Sequence, residues 1–92
     1  MNKSDLVDQV AVAANVTKKE ADAVVSAMLE VIVEAVSAEE KVTLLGFGSF
    51  ESRQRQARTG RNPQTGEAVE IAASVVPAFS PGKVFKEKVA AR

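Results

Sequence analysis

The chain has 92 residues, with twelve basic and twelve acidic side chains, no histidine, no cysteine and 46% hydrophobic residues. This composition suits one globular domain rather than a disordered chain. It excludes disulfides, thiolate nucleophiles, zinc–thiolate sites and imidazole chemistry, so no catalytic residue, metal or cofactor is expected.

Lys3, Asp5, Asp8, Lys18, Lys19 and Glu20 interrupt the first twenty residues, which lack the apolar stretch of a signal peptide. No later run reaches membrane-spanning length. The expectation is a soluble, intracellular protein with no membrane partner. So short a chain buries only about 60% of its unfolded surface, and self-association is the simplest way to add burial.

Asn2 is placed to cap a first helix, with Asp5 in its first turn and Leu6, Val7, Val10, Ala11 and Ala14 at helical spacing. Asn15-Val16-Thr17 matches a glycosylation sequon, but with no secretory signal it reads better as a helix boundary, with Thr17 and Glu20 forming a T-x-x-E capping box. The spacing then predicts a second helix over residues 18–37. Its polar positions Asp22, Ser26, Glu30 and Glu34 form one narrow stripe, and ten of the thirteen residues from Val24 to Val36 are apolar. A helix apolar nearly all round needs cover on several sides. A symmetric dimer is the commonest way to supply it.

A turn around Ser37–Glu40 precedes a strand at residues 41–45. Gly46-Phe47-Gly48-Ser49-Phe50 lacks the third glycine and following helix of a dinucleotide site, so it reads as a tight hairpin with Phe47 and Phe50 in the core. Val25, Met28, Leu29, Ile32 and Val36 on the helix, with Leu44, Phe47, Phe50 and Phe79, are the expected dimer interface.

The charges are segregated along the chain. Residues 1–45 hold four basic and eight acidic side chains, whereas residues 46–92 hold eight basic and four acidic. Arg53, Arg55, Arg58 and Arg61 fall within nine residues that contain no carboxylate. A solvated strand face is the usual fate of such charges, but arginine without lysine suits planar contacts to phosphates or base edges.

From Glu51 to Gly60 only Ala57 is apolar, whereas Val69, Ile71, Ala73 and Val75 alternate with Ala68, Glu70, Ala72 and Ser74 in a returning strand. Between them, Arg61-Asn62-Pro63-Gln64-Thr65-Gly66 is rich in turn formers. The pattern predicts a long hairpin arm over about residues 53–75, able to reach on the order of 35 Å at ~3.3 Å per residue. Ser80 as cap and Pro81 at the first position are expected to open a last helix. In that helix Val84, Phe85 and Val89 pack inward and Lys83, Lys86 and Lys88 stay outside. One domain is expected over residues 1–92, with a helical base and first strand at 1–45, sheet and arm at 46–79, and the last helix at 80–92.

An arginine-bearing ribbon on a dimerising body suits a nucleic-acid groove. Pro63 at its tip is either a turn stiffener or an apolar wedge between base pairs. Asn2-Lys3, Gly46-Phe47-Gly48-Ser49-Phe50, Gly60-Arg61-Asn62-Pro63 and Pro77-Ala78-Phe79 leading into Gly82-Lys83, in this order, resemble the HU/IHF family of bacterial histone-like DNA-bending proteins, on the HU side. The resemblance covers the whole chain. It implies an α+β fold, with two N-terminal helices, a three-stranded antiparallel sheet carrying a long β-arm, a short C-terminal helix and an intertwined dimer.

By the same resemblance the partner is double-stranded DNA, gripped in the minor groove with little sequence preference and better when nicked or distorted. HU and IHF are themselves known minor-groove architectural proteins, so the wedge comes with the resemblance. Pro63 would intercalate with Arg58, Arg61 and Asn62 around it. Arg53 and Arg55 would line the inner arm, and Lys3, Lys83 and Lys86 would meet phosphates along the body. The implied setting is the cytoplasmic nucleoid. Gln56, Thr59, Gln64 and Ser80 stand where the family often has Lys or Arg, Ala72 where proline is common, and Glu67 adds an acid near the tip. With a pI near 6.3, weaker affinity and a shallower salt slope than in basic relatives are expected.

Other readings stay open on sequence grounds. One is an IHF-like sequence-specific bender, including exchange with a related subunit in a heterodimer. Another is a protein-interaction module with weak DNA binding. An enzyme acting on a small molecule is least favoured, because Glu39-Glu40 has no apolar surroundings to separate its carboxyls.

Overall fold

The computed structural model describes residues 1–91. Arg92, which the expected last segment includes, lies outside the described residues. The elements run α1 (Lys3–Ala14), α2 (Lys18–Ser37), β1 (Val42–Leu44), β2 (Gly48–Arg55), β3 (Arg58–Arg61), β4 (Ala68–Ile71), β5 (Ser74–Pro81) and α3 (Lys83–Ala90). The α+β class follows directly. Two compact units divide the chain, Met1–Glu34 and Ala35–Arg92, with the boundary inside α2.

In the first unit both helix starts are fixed by local chemistry. The Asn2 side chain accepts from the Asp5 N–H at 2.9 Å, and Asp5 returns the bond by accepting from the Asn2 N–H at 3.2 Å. Thr17 and Glu20 repeat the device: Thr17 Oγ1 accepts from the Glu20 N–H at 3.1 Å, and Glu20 Oε1 accepts from the Thr17 N–H and hydroxyl at 3.2 and 2.9 Å. Each box satisfies donors that the first turn leaves without partners. Asn15, left-handed at φ 57°, ends α1.

Val7 and Ala11 of α1 meet Ala21 and Val25 of α2, and these four are the buried hydrophobic residues among those described. Val25 therefore lies in its own unit's core. The rest of the apolar surface of α2 stays open, with Met28 49% and Leu29 43% exposed.

In the second unit β1, β2 and β5 form an antiparallel sheet in that order. Gly46, at φ +83°, takes the left-handed position of the β1–β2 turn, which the Phe47 N–H closes onto the Leu44 carbonyl at 2.9 Å. Gly48 is needed for a different reason: a Cβ there would stand 2.6 Å from the Ser80 carbonyl oxygen and 2.7 Å from the Phe79 ring. Phe50 and Phe79 face each other across β2–β5 with ring centroids 4.8 Å apart, and Phe47 and Phe85 complete a four-ring cluster.

Two local expectations are corrected. Ser80 and Pro81 do not open the last helix, because they pair with Ser49 and Gly48 as the end of β5, and Gly82 takes the N-cap position with no side-chain bond. Of the three residues expected to pack inward from α3, Phe85 joins the ring cluster while Val84 and Val89 remain exposed. Among the described residues no helix is long and apolar enough to cross a membrane.

Gly48→Ala is expected to abolish folding, read as insoluble expression or loss of far-UV circular dichroism, since neither the β5 backbone nor a packed ring yields cheaply. Thr17→Ala is expected to cost about 1 kcal/mol in urea unfolding at fixed protein concentration. The hydrogen bonds from Thr17 hold the Glu20 carboxyl below its ordinary value of 4.5. Its contribution is thus complete above that value and lost as pH falls through the lowered one. The acid-side decline in stability should become shallower in Glu20→Gln.

Candidate nucleic-acid interface

The arm grows out of the sheet because β2 and β5 outrun β1. Their register runs from Gly48 opposite Pro81 to Arg55 opposite Ser74. The ladder is then interrupted at Gln56-Ala57 and Ala72-Ala73, and it resumes with Arg58 opposite Ile71 and ends with Arg61 opposite Ala68. The returning strand, expected to be continuous, is thus two strands. Its alternating pattern persists through the gap because the same number of residues is skipped on each side.

Residues directly opposite one another share a face of the pleat. Arg53 and Arg55 lie on one face, opposite Val76 and Ser74. Counted through the gap, Arg61 continues that face, while Arg58 falls on the other. There it stands with Ile71, next to the Gly60–Val69 pair and in line with Val75. The four arginines therefore divide three to one, and Arg58 alone shares its face with the large exposed apolar residues of the returning strand, Val69, Ile71 and Val75.

Their side-chain partners differ as well. Arg53 donates to Glu51 Oε1 from Nε and Nη2, both at 3.3 Å, and from Nη2 to Ser80 Oγ at 3.0 Å. Arg61 Nη1 donates to the Gly66 carbonyl at 3.2 Å. Arg55 and Arg58 make no hydrogen bond or ion pair within the described residues. At the tip Pro63 is exposed and Asn62 half-buried, and the Asn62 Oδ1 accepts from the Gln64 N–H at 2.9 Å.

Of the body lysines, Lys83 lies 3.9 Å from Glu87, an exposed pair of little energetic weight, and Lys86 is exposed on the same helix. Lys3 belongs to the other unit, where its Nζ donates to Ser26 Oγ at 2.8 Å. A neutral hydroxyl leaves the lysine charge uncompensated. Glu51 and Ser80 are the participants that sequence reasoning missed. The signal for Glu51 was available, since residues two apart on a strand share a face, whereas Ser80 comes near Arg53 only through the β2–β5 register.

Residues 1–90 match the family model for bacterial DNA-binding proteins. The chain belongs to the HU/IHF family. HU of Nostoc sp. (strain PCC 7120) is 68% identical over 90 residues, covering 98% of this chain and 96% of that one. HU 1 of Bacillus subtilis (strain 168) is 50% identical over 92 residues, the full length of both. Among solved structures, an Anabaena HU–DNA cocrystal structure matches at 66% identity with a TM-score of 0.91 over all of both chains. HU from Thermotoga maritima matches at 39% identity and a TM-score of 0.70, covering 97% of this chain and 98% of that one. These relatives place the chain on the HU side of the family.

The unequal engagement of the arginines makes a testable distinction. In salt titrations against labelled duplex DNA, Arg58→Ala is expected to lower the slope of log K against log salt concentration by about 0.9, the value for one lost phosphate contact. Arg53→Ala should lower it by clearly less, because Glu51 already neutralises part of that charge. Equal slopes for the two variants would count against the assignment.

Proposed function

We propose that the protein is an architectural double-stranded DNA-binding protein that acts as a dimer and kinks the duplex by inserting Pro63 from the tip of each arm. The observation that carries this reading is the arm itself. It is an antiparallel ribbon in constant register, with the Arg55 and Arg58 side chains free of partners among the described residues and an exposed proline at its apex. The full-length likeness to an HU solved with DNA supports it.

The proposed partner in the dimer is a second copy of the chain. Its supporting observation is the apolar surface one chain leaves in water, including Met28, Leu29, Phe47 at 46% and Phe79 at 39% exposure. Ile32, Val36, Leu44 and Phe50 are partly covered at best and extend the same set. Soluble monomers rarely leave so much apolar surface uncovered.

Binding balances two terms. Bending a short site costs about 1–6 kcal/mol, offset by phosphate contacts from the arms and from Lys3, Lys83 and Lys86 that become reachable once the duplex curves. A nick removes part of the unstacking cost, so discontinuous DNA binds more tightly, and no base-reading contact is needed. The neutral net charge makes the counterion-release term smaller than in a basic relative. The reading is of a binding protein of the nucleoid, with no catalytic step and no small-molecule substrate.

The test is fluorescence anisotropy on one duplex, intact and centrally nicked, at two salt concentrations. Tighter, salt-sensitive binding to the nicked form is expected. Pro63→Ala should weaken binding to intact duplex and reduce its bend. Equal affinity for the two duplexes would overturn the wedge, and no binding at low salt would overturn the function.

A further inference from the structure

The tip of the arm is held by more than its backbone. The Asn62 N–H donates to the Glu67 carbonyl at 2.9 Å, and the Gly66 N–H donates to the Asn62 carbonyl at 2.7 Å, closing the turn. Gly66 adopts φ +74°, a left-handed position that few other residues occupy easily. Within this ring the Asn62 Oδ1 reaches over Pro63 to the Gln64 N–H at 2.9 Å. Thr65 Oγ1 accepts from the Glu67 N–H at 3.3 Å, and Arg61 spans the turn to the Gly66 carbonyl. Beneath the tip, Ile71 lies over Gly60, where an added Cβ would come 3.0 Å from Ile71 Cδ1.

Proline fixes its own φ but not the ψ that follows it. An asparagine carbonyl bonded to the N–H two residues on closes a side-chain turn around the intervening residue. Here that residue is Pro63. One lone pair of the Asn62 side-chain carbonyl is thereby engaged inside the protein, and the ring of Pro63 is held in a defined direction before any DNA arrives. Preorganisation of this kind removes an ordering cost from binding.

We propose that Asn62 is a positioning residue, whose side-chain carbonyl holds Pro63 in the orientation in which it enters the base stack. This rests on the wedge reading above, and it assigns the effect of Asn62 on DNA to the proline rather than to a contact of its own. The carbonyl matters and the amide NH2 does not. Serine at this position keeps a short acceptor and loses the NH2, whereas alanine loses both.

The experiment is a double-mutant cycle on the full-length protein, read by affinity for intact duplex and by end-to-end fluorescence transfer as a measure of bending. Asn62→Ala is expected to weaken binding to intact duplex by roughly three- to tenfold, the effect of one net hydrogen bond, and to reduce the bend. Asn62→Ser should stay within about twofold of the parent. In the Pro63→Ala background, Asn62→Ala should change affinity by less than about twofold. In the DNA-free protein, amide exchange at Gln64 should be slow in the parent and in Asn62→Ser, and faster in Asn62→Ala. An unchanged cost of Asn62→Ala without the proline, or equal losses from Ser and Ala, would overturn the assignment in favour of a direct contact. If Pro63→Ala alone binds and bends like the parent, the wedge reading fails and the positioning role falls with it.

Discussion

The β2–β5 register is the constraint on which the interface depends. One ladder begins where Gly48 meets Pro81, passes through the Phe50–Phe79 pair that anchors the ring cluster, fixes the face on which Arg53 and Arg55 lie, and, counted through the gap, sets the phase of Arg58 and Arg61 in the second ladder. A slip of one residue would send each side chain to the opposite face. Gly48 resists such a slip sterically, because only a residue without Cβ fits against the Ser80 carbonyl and the Phe79 ring. The body of the sheet thus sets the phase of an arm whose own residues bury almost nothing.

Charge is arranged to complement that geometry. The acids of the first 45 residues offset the bases of the rest, so net charge says little about the local field around the arm. Glu51 moderates Arg53 near the base of the arm, while Arg55 and Arg58 further out are exposed and unpaired among the described residues. Nearer the tip, Glu67 and Glu70 equal Arg58 and Arg61 in number, so the arm carries its exposed proline at an end where acids and bases alternate. The lysine on Ser26 adds a positive point on the separate helical unit, paired with no carboxylate among the described residues.

What could be read from the sequence divides by range. Both capping boxes and the bounds of α2 depend on residues three or four apart, and periodicity and cap chemistry located them. The turn at Gly46 and the tip at Asn62–Gly66 were equally local. The start of α3 misled because Ser80-Pro81 has the form of a cap followed by proline, yet strand pairing across some thirty residues claims both. The break in the arm was silent, since Gln56, Ala57, Ala72 and Ala73 carry neither glycine nor proline to mark it. Asn62 was legible as a turn former, but the direction of its side chain, inward to Gln64, emerges only when the turn is closed.

The interruption at residues 56–57 and 72–73 also says how such an arm can change in length. It removes equal numbers of residues from the two strands, and the pleat alternates with a period of two, so insertions of one residue per strand would exchange the two faces beyond that point. Insertions of two per strand would restore them and extend the reach by roughly 7 Å. The reach of the arm is therefore quantised. Variation that preserves which side chains meet the groove must come in matched pairs on both strands, and within the paired length of the ribbon the gap is a place where such pairs break no ladder hydrogen bond.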